Sequence, residues 1–207
     1  MSKRFWTADF HANHGNVARY TNRPCIKKEE LNEHGDFISS EAALACATRM
    51  NEMLIREANM RVKLDDTVVH VGDFATVGRA RGVDGLRTSY REVLNRLNGH
   101  WILLEGNHET QGRVKFVGRH LLCNISHFSV FASHHPSDDL HQPPALIEYV
   151  KQHCDFQLCG HVHEKWLFKW DGTLLNINVG VDQHKMRPIS DDEIVNMYLK
   201  EKKEHGL

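Results

Sequence analysis

The sequence predicts an α/β fold. Three observations carry that prediction. Short apolar, β-branched runs alternate with amphipathic helical patterns, each run stops at a polar loop, and an Asp-Gly hairpin adds strands late in the chain. At 207 residues the chain is long enough for a sizeable core and reads as one domain, 1–207.

The elements follow in order. "RFWTADF" is a short strand that runs into "HANHGNVARYTNRP", a loop with room for one helical turn. "SSEAALACATRMNEMLIREANMRV" is the clearest helix, with Ser39 or Ser40 as N-cap and apolar positions at Leu44, Ala47, Met50, Leu54 and Ala58. "DTVVHVGDF" is a strand ending in Gly-Asp, and "GLRTSYREVLNRLNGH" is a helix stopped by Asn98 and Gly99. "HWILLEGNHE" repeats the pattern of strand then polar loop. "HFSVFASHHP" is a strand, "PPALIEYVKQH" a helix opening on proline, and "CDFQLCGHVH" another strand. "KWLFKW", "DGT" and "LLNINVGVD" form a hairpin, and "SDDEIVNMYLKEKKEHG" a capped helix with acids first and lysines last.

Composition narrows the function classes. Lys+Arg (26) and Asp+Glu (27) nearly balance, for a net charge of −1, so no basic field is available for extended nucleic acid. No secretory or membrane-spanning stretch is apparent, and the five scattered cysteines lack ligand spacing, so a reduced, cytoplasmic protein is expected. Sixteen histidines are the anomaly, since imidazole is the commonest ligand for borderline metals.

Every strand end in this reading delivers a metal-competent side chain: Asp9 and His11, then Asp73, Asn107 with His108, His134, and finally His161 and His163. Ligands in α/β sheets gather outside the carboxyl ends of strands, so these residues are expected to converge. Carboxylates, imidazoles and an amide oxygen without thiolate suit Mn, Fe, Co, Ni or Zn. Seven ligands exceed the need of one ion, whereas with Asp73 shared two divalent ions can each take four. Two such ions, two aspartates and one hydroxide sum to about +1, a site that favours a phosphate ester.

In this order DxH, GDx, GNHE, a later His and GHxH resemble the calcineurin-like metallophosphoesterases, over Asp9 to His163. The resemblance implies a four-layer αββα sandwich of two mixed β-sheets flanked by helices. It implies Asp9, His11, Asp73 and His163 on one metal and Asp73, Asn107, His134 and His161 on the other, manganese being favoured, with His108 as proton donor to the leaving group. The loops resemble small stand-alone bacterial and phage members, in which a His and an Asn stand at the places of His14 and Asn16. Where the family often has His-Tyr-Pro this chain has His134-His135-Pro136. His134 is taken as the ligand and His135 as a pocket residue, the reverse being the alternative, and His14 is the alternative to His11.

Arg79 and Arg81 follow the GDF motif as candidate phosphate contacts. Most of His70, His100, His120, His127 and His153 are expected to be hydrogen-bonded structural histidines, and His184, with Lys185 and Arg187, to lie in a cationic loop or near the pocket. The expected activity is hydrolysis of a small phosphate ester, nucleotides included, by hydroxide attack on phosphorus. The alternatives are a nuclease or cyclic-nucleotide phosphodiesterase on the same site, and a non-catalytic scaffold of the same fold.

Overall fold

The computed structural model describes residues 2–75, 89–108 and 115–206. Arg79, Arg81 and the start of the helix expected from "GLRTSY" lie outside the described residues.

Among the described residues nine strands form two mixed sheets. The first has the order β3-β2-β1-β9, from β1 (Arg4–Thr7), β2 (Thr67–Val71), β3 (His100–Leu104) and β9 (Ile189–Ser190). Its three long strands are parallel, and β9 is antiparallel to β1. The second has the order β4-β5-β6-β8-β7, from β4 (His120–Ile125), β5 (Phe128–Ser133), β6 (Phe156–Cys159), β7 (Phe168–Trp170) and β8 (Leu175–Asn178). Here β5, β6 and β8 run parallel, with antiparallel β4 and β7 at the edges.

Strand alternation builds the layers. Trp6, Val69, Val71 and Leu104 of the first sheet face Val130, Ala132, Phe156, Leu158, Leu175 and Ile177 of the second, forming one core between the sheets. The outer face of the first sheet packs on α2 (Ser40–Asn59) through Cys46, Met50 and Leu54, joined by α3 (Tyr90–Leu94). The outer face of the second packs through Phe131 on Ile147 and Val150 of α4 (Pro144–His153). The layers are therefore α, β, β, α, as the resemblance implies.

Local chemistry sets the helix ends. Ser39 caps α2 by accepting the Ala42 N–H at 3.2 Å, an interaction worth about 1 kcal/mol. α5 (Asp191–Glu204) opens on a capping box between Ser190 and Glu193, and its Ile194 and Tyr198 close one side of the inter-sheet core. Within the first loop, Gly15–Tyr20 forms a short helix, α1, somewhat longer than the single turn expected.

Several expectations need correction. The sequence reading assigns no element to 120–125, yet β4 pairs there with β5 as an edge strand with an alternating burial pattern, and the two-residue β9 is too short to leave a signal. The helix before Asn98 ends at Leu94, because the chain turns there and Trp101 Nε1 donates to the Asn98 carbonyl at 2.8 Å. His70 is not a hydrogen-bonded histidine: it is fully buried among Phe10, Phe74 and Trp101, and neither ring nitrogen meets a partner among the described residues. His184 stands away from the candidate site, half-buried, in a loop that lines a separate cavity with Lys185 and Arg187, and its Nε2 lies 2.8 Å from the Asn178 carbonyl. The cysteines are free thiols, and packing of the segment after α1 against α2 brings the sulfurs of Cys25 and Cys46 to 3.9 Å. No described helix is long and apolar enough to cross a membrane.

Candidate metal centre

The loop after β1 runs beside the loop after β2. Asp9 N–H donates to the Gly72 carbonyl at 3.1 Å, His11 N–H to Asp73 at 2.9 Å and Ala12 N–H to Phe74 at 3.0 Å. This short parallel pairing sets Asp9, His11 and Asp73 side by side, all buried. The Asp9 carboxylate also accepts the His161 N–H at 3.1 Å, tying the loop after β6 to the loop after β1.

The side chains converge on two adjoining clusters. In one, single ligand atoms of Asp9, His11 and His163 lie within 4.8 Å of one another, with the His11 and His163 rings stacked 5.1 Å apart. In the other, Asn107 Oδ1 lies 2.9 Å from His134 Nε2 and 3.0 Å from His161 Nδ1. Asp73 joins them: its Oδ2 is 3.4 Å from His11 Nε2 and 3.1 Å from His134 Nε2.

The backbone is bent to achieve this. Asp9, His11, Asp73, His161 and His163 all adopt positive φ, between 46° and 71°. Such conformations are unfavourable for side chains with a Cβ, and their concentration here marks a site whose geometry is imposed by its surroundings. The "GHVH" segment is therefore a loop and not a continued strand; His161 turns to Asn107 while His163 turns to His11 and Asp182. Gly72 is required beneath it all: at φ +87°, a Cβ there would lie 2.5 Å from His134 Nδ1.

Electrostatics follow from burial and crowding. Burial raises the Asp9 pKa and pushes that of His11 well below the usual imidazole value. Burial also works against a charged His134, but hydrogen bonding and attraction to Asp73 outweigh it and raise its pKa to about 9. The His161 imidazole is driven down to about 4 by burial, helped by the charges of His134 and His135.

The donor set fits divalent metal. Two buried carboxylates, an amide oxygen and imidazoles point inward, and His11 Nε2 is buried without a hydrogen-bond partner among the described residues. An orphaned imidazole nitrogen costs stability unless something binds it. The far nitrogens are held from behind: His134 Nδ1 lies 3.0 Å from the Val71 carbonyl and His163 Nδ1 2.7 Å from Asp182 Oδ2, so each turns Nε2 inward.

The other expected site residues lie around this cradle. His108 sits exposed at its mouth, its N–H on Asp73 Oδ1 at 2.9 Å and its ring 5.3 Å from that of His11. It is His134, not His135, that faces Asp73 and Asn107. His135 turns to Asp139, at 3.3 Å, and to the His161 ring, at 4.4 Å. It borders a cavity of about 370 Å³ that opens beside Asn107 and His134 and is walled by His120, His141, Gln142 and Arg119. His14 stands behind His11, the ring centroids 6.1 Å apart, and Asn16 is half-buried in the first turn of α1.

Sequence reasoning missed Asp182, Arg23 and Asp139. Asp182 follows the end of β8, so the rule that located the other candidates applied to it as well. Nothing local in the sequence marks Arg23.

No family model matches the chain. It is 26% identical over 206 residues to the uncharacterized protein MJ1445 of Methanocaldococcus jannaschii, covering 98% of this chain and 94% of that one. Among solved structures it superposes on the protein of unknown function AQ665 from Aquifex aeolicus with a TM-score of 0.64 and 19% identity, covering 95% of this chain and all of that one. Weaker neighbours are Vps29 from Entamoeba histolytica complexed with zinc (TM-score 0.41, 17% identity, 86% and 73% of the chains) and a predicted phosphoesterase from Streptococcus pneumoniae (TM-score 0.40, 14% identity, 86% and 72%). With two mixed sheets face to face, helices on both outer faces and the DxH, GDF, GNHE and GHVH segments drawn to one cradle, the chain has the four-layer αββα fold that the sequence resemblance implies.

Proposed function

We propose that the chain is a phosphoesterase that works with two divalent transition-metal ions. One is held by Asp9, His11, Asp73 and His163, the other by Asp73, Asn107, His134 and His161. The observation that carries this reading is the donor set gathered around Asp73, with Asp9, His11, Asp73 and His134 buried and His11 Nε2, 3.4 Å from the Asp73 carboxylate, without a hydrogen-bond partner among the described residues. When bound, the ions supply Lewis acidity, which lowers the pKa of water and offsets the charge of phosphoryl oxygens.

The chain supplies the rest. His108 is aimed by the bond from its N–H to Asp73 and stands at the open mouth, where an imidazolium can protonate a leaving alkoxide. His14, next to the His11 ring, and His135, against the His161 ring, are assigned to substrate contact. The cavity beside Asn107 takes part of a small phosphate ester, and the near-zero net charge disfavours long nucleic acid.

Metal-stripped protein loaded with Mn²⁺ and given a chromogenic phosphomonoester and a phosphodiester tests the proposal. Turnover of either supports it, and the faster substrate assigns the preference. No turnover of either by metal-loaded protein overturns the catalytic reading in favour of a scaffold.

A further inference from the structure

Arg23 is an arginine with nothing left to give. Its side chain is fully buried, and all five of its N–H donors are used. Nε donates to Asp182 Oδ1 at 2.8 Å and Nη2 to Asp182 Oδ2 at 2.9 Å, a forked pair. Nη2 also donates to the Asp9 carbonyl at 2.6 Å, and Nη1 to the Phe10 carbonyl at 2.8 Å and to Met50 Sδ at 3.2 Å. Such a guanidinium has no donor free for a substrate phosphate, so its part is to hold other groups in place.

What it holds is one half of the cradle. Through the carbonyls of Asp9 and Phe10 it pins the loop in which Asp9 and His11 take left-handed backbone. Through Asp182 it reaches His163, whose Nδ1 lies 2.7 Å from Oδ2. The His163 carbonyl is held as well, accepting from Asn178 Nδ2 at 2.8 Å and Gln183 Nε2 at 2.9 Å. Among the described residues the other half has no clamped carboxylate of this kind, its His134 Nδ1 meeting only the Val71 carbonyl at 3.0 Å. His161 turns its far nitrogen toward Asp139, but at 3.7 Å, and Asp139 already accepts from His141.

We infer that Asp182, clamped by Arg23, is the positioning residue for His163. It fixes the Nδ1–H tautomer and aims Nε2 at the Asp9–His11 cluster, so that the pair sets the affinity of one ion and not of the other. The inference rests on the reading of the cradle as a two-metal site and adds an asymmetry that reading does not contain. A carboxylate behind a ligating imidazole fixes its orientation and raises its basicity, and removing one weakens metal binding by about 10–100-fold.

Calorimetric titration of metal-stripped full-length protein with Mn²⁺ tests it. Wild type is expected to take up two ions. Asp182→Asn should bind one of them about 10–100-fold more weakly and the other as before. Arg23→Gln/Asp182→Asn, which leaves no unpaired buried charge, should show the same selective loss with its circular dichroism preserved. Nitrogen-15 NMR of metal-free wild type should show His163 protonated at Nδ1, and the tautomer with Nε2 protonated and Nδ1 bare overturns the inference without any variant. Both ions bound unchanged, or both weakened together, in the variants also overturns it, since a merely structural ion pair does not choose between sites. Uptake of no ion by wild type overturns the two-metal reading itself and this inference with it.

Discussion

Asp73 Oδ1 accepts the backbone N–H of His108 at 2.9 Å while Asp73 Oδ2 faces the imidazoles of His11 and His134. One carboxylate thus divides its two oxygens between the proposed proton donor and the proposed metals. The position of His108 is consequently set by the same residue that joins the two clusters, across 35 residues of sequence.

His108→Ala tests the division. The side chain is exposed at the mouth and the bond to Asp73 comes from the backbone, so the metals should stay. The rate is expected to fall by about 10²-fold or more, as for loss of a general acid. Metal content by atomic absorption and kcat on a chromogenic ester check it; loss of metal along with activity would remove His108 from the proton-donor role.

Gly106→Ala should strike this carboxylate directly. A Cβ at Gly106 would lie 2.2 Å from Asp73 Oδ1 and 2.4 Å from the Asp73 backbone nitrogen, with no flexible tip to move aside. A destabilisation of about 1–3 kcal/mol is expected, as for overpacking, together with loss of metal. Urea unfolding of the metal-free variant and metal titration check the two effects separately.

His70 gives the protein an acid-sensitive core. Burial among aromatic rings drives its pKa down to about 3, against an unfolded value near 6.5. Below the unfolded pKa the unfolded chain binds a proton that the folded chain refuses. This residue therefore favours unfolding progressively as pH falls from about 6.5 toward 3, and costs nothing of this kind above it. His70→Leu should flatten that part of the profile by up to one proton and should stabilise the protein more at pH 5 than at pH 7.5, as urea unfolding at the two values would show.

Metal loading should release protons. His134 in the metal-free protein has its pKa raised to about 9 by Asp73, so at pH 7.5 Nε2 carries a proton that an incoming ion must displace. Its pairing with Asp73 stabilises the metal-free fold fully below about 6.5 and loses that effect as pH rises through about 9. Apparent metal affinity is expected to rise with pH across this interval, and the melting temperature to rise on adding ion. Titrations in buffers of different ionisation enthalpy count the protons; none released at pH 7.5 would contradict the assignment.

Much of the fold and of the candidate cradle was legible because both depend on local signals. β-branched runs mark the parallel strands, and the ligand-type residues stand directly at their ends, where α/β folds collect their sites. β4 escaped because an edge strand alternates exposed and half-buried residues, and "HLLCNI" then differs little from a polar connection. Arg23 and Asp182 escaped for another reason. Their partnership spans 159 residues and exists only after the two sheets meet, so no window of sequence contains it. The imidazole of His70 is similar: its spacing places it in a strand, but only the cage of Phe10, Phe74 and Trp101 leaves it without a partner.

The left-handed backbone of Asp9, His11, Asp73, His161 and His163 alters how substitutions there must be read. Alanine at these positions deletes the functional group but keeps the Cβ and its conformational penalty of about 1–2 kcal/mol. Glycine deletes the same group and relieves the penalty, and asparagine tolerates the conformation while keeping a polar tip. At these five positions glycine variants can therefore be more stable than wild type while lacking the ligand. Stability and the proposed activity then move in opposite directions under one substitution, and a tolerance profile scored on folding alone would rank the proposed metal ligands among the most replaceable residues of the chain.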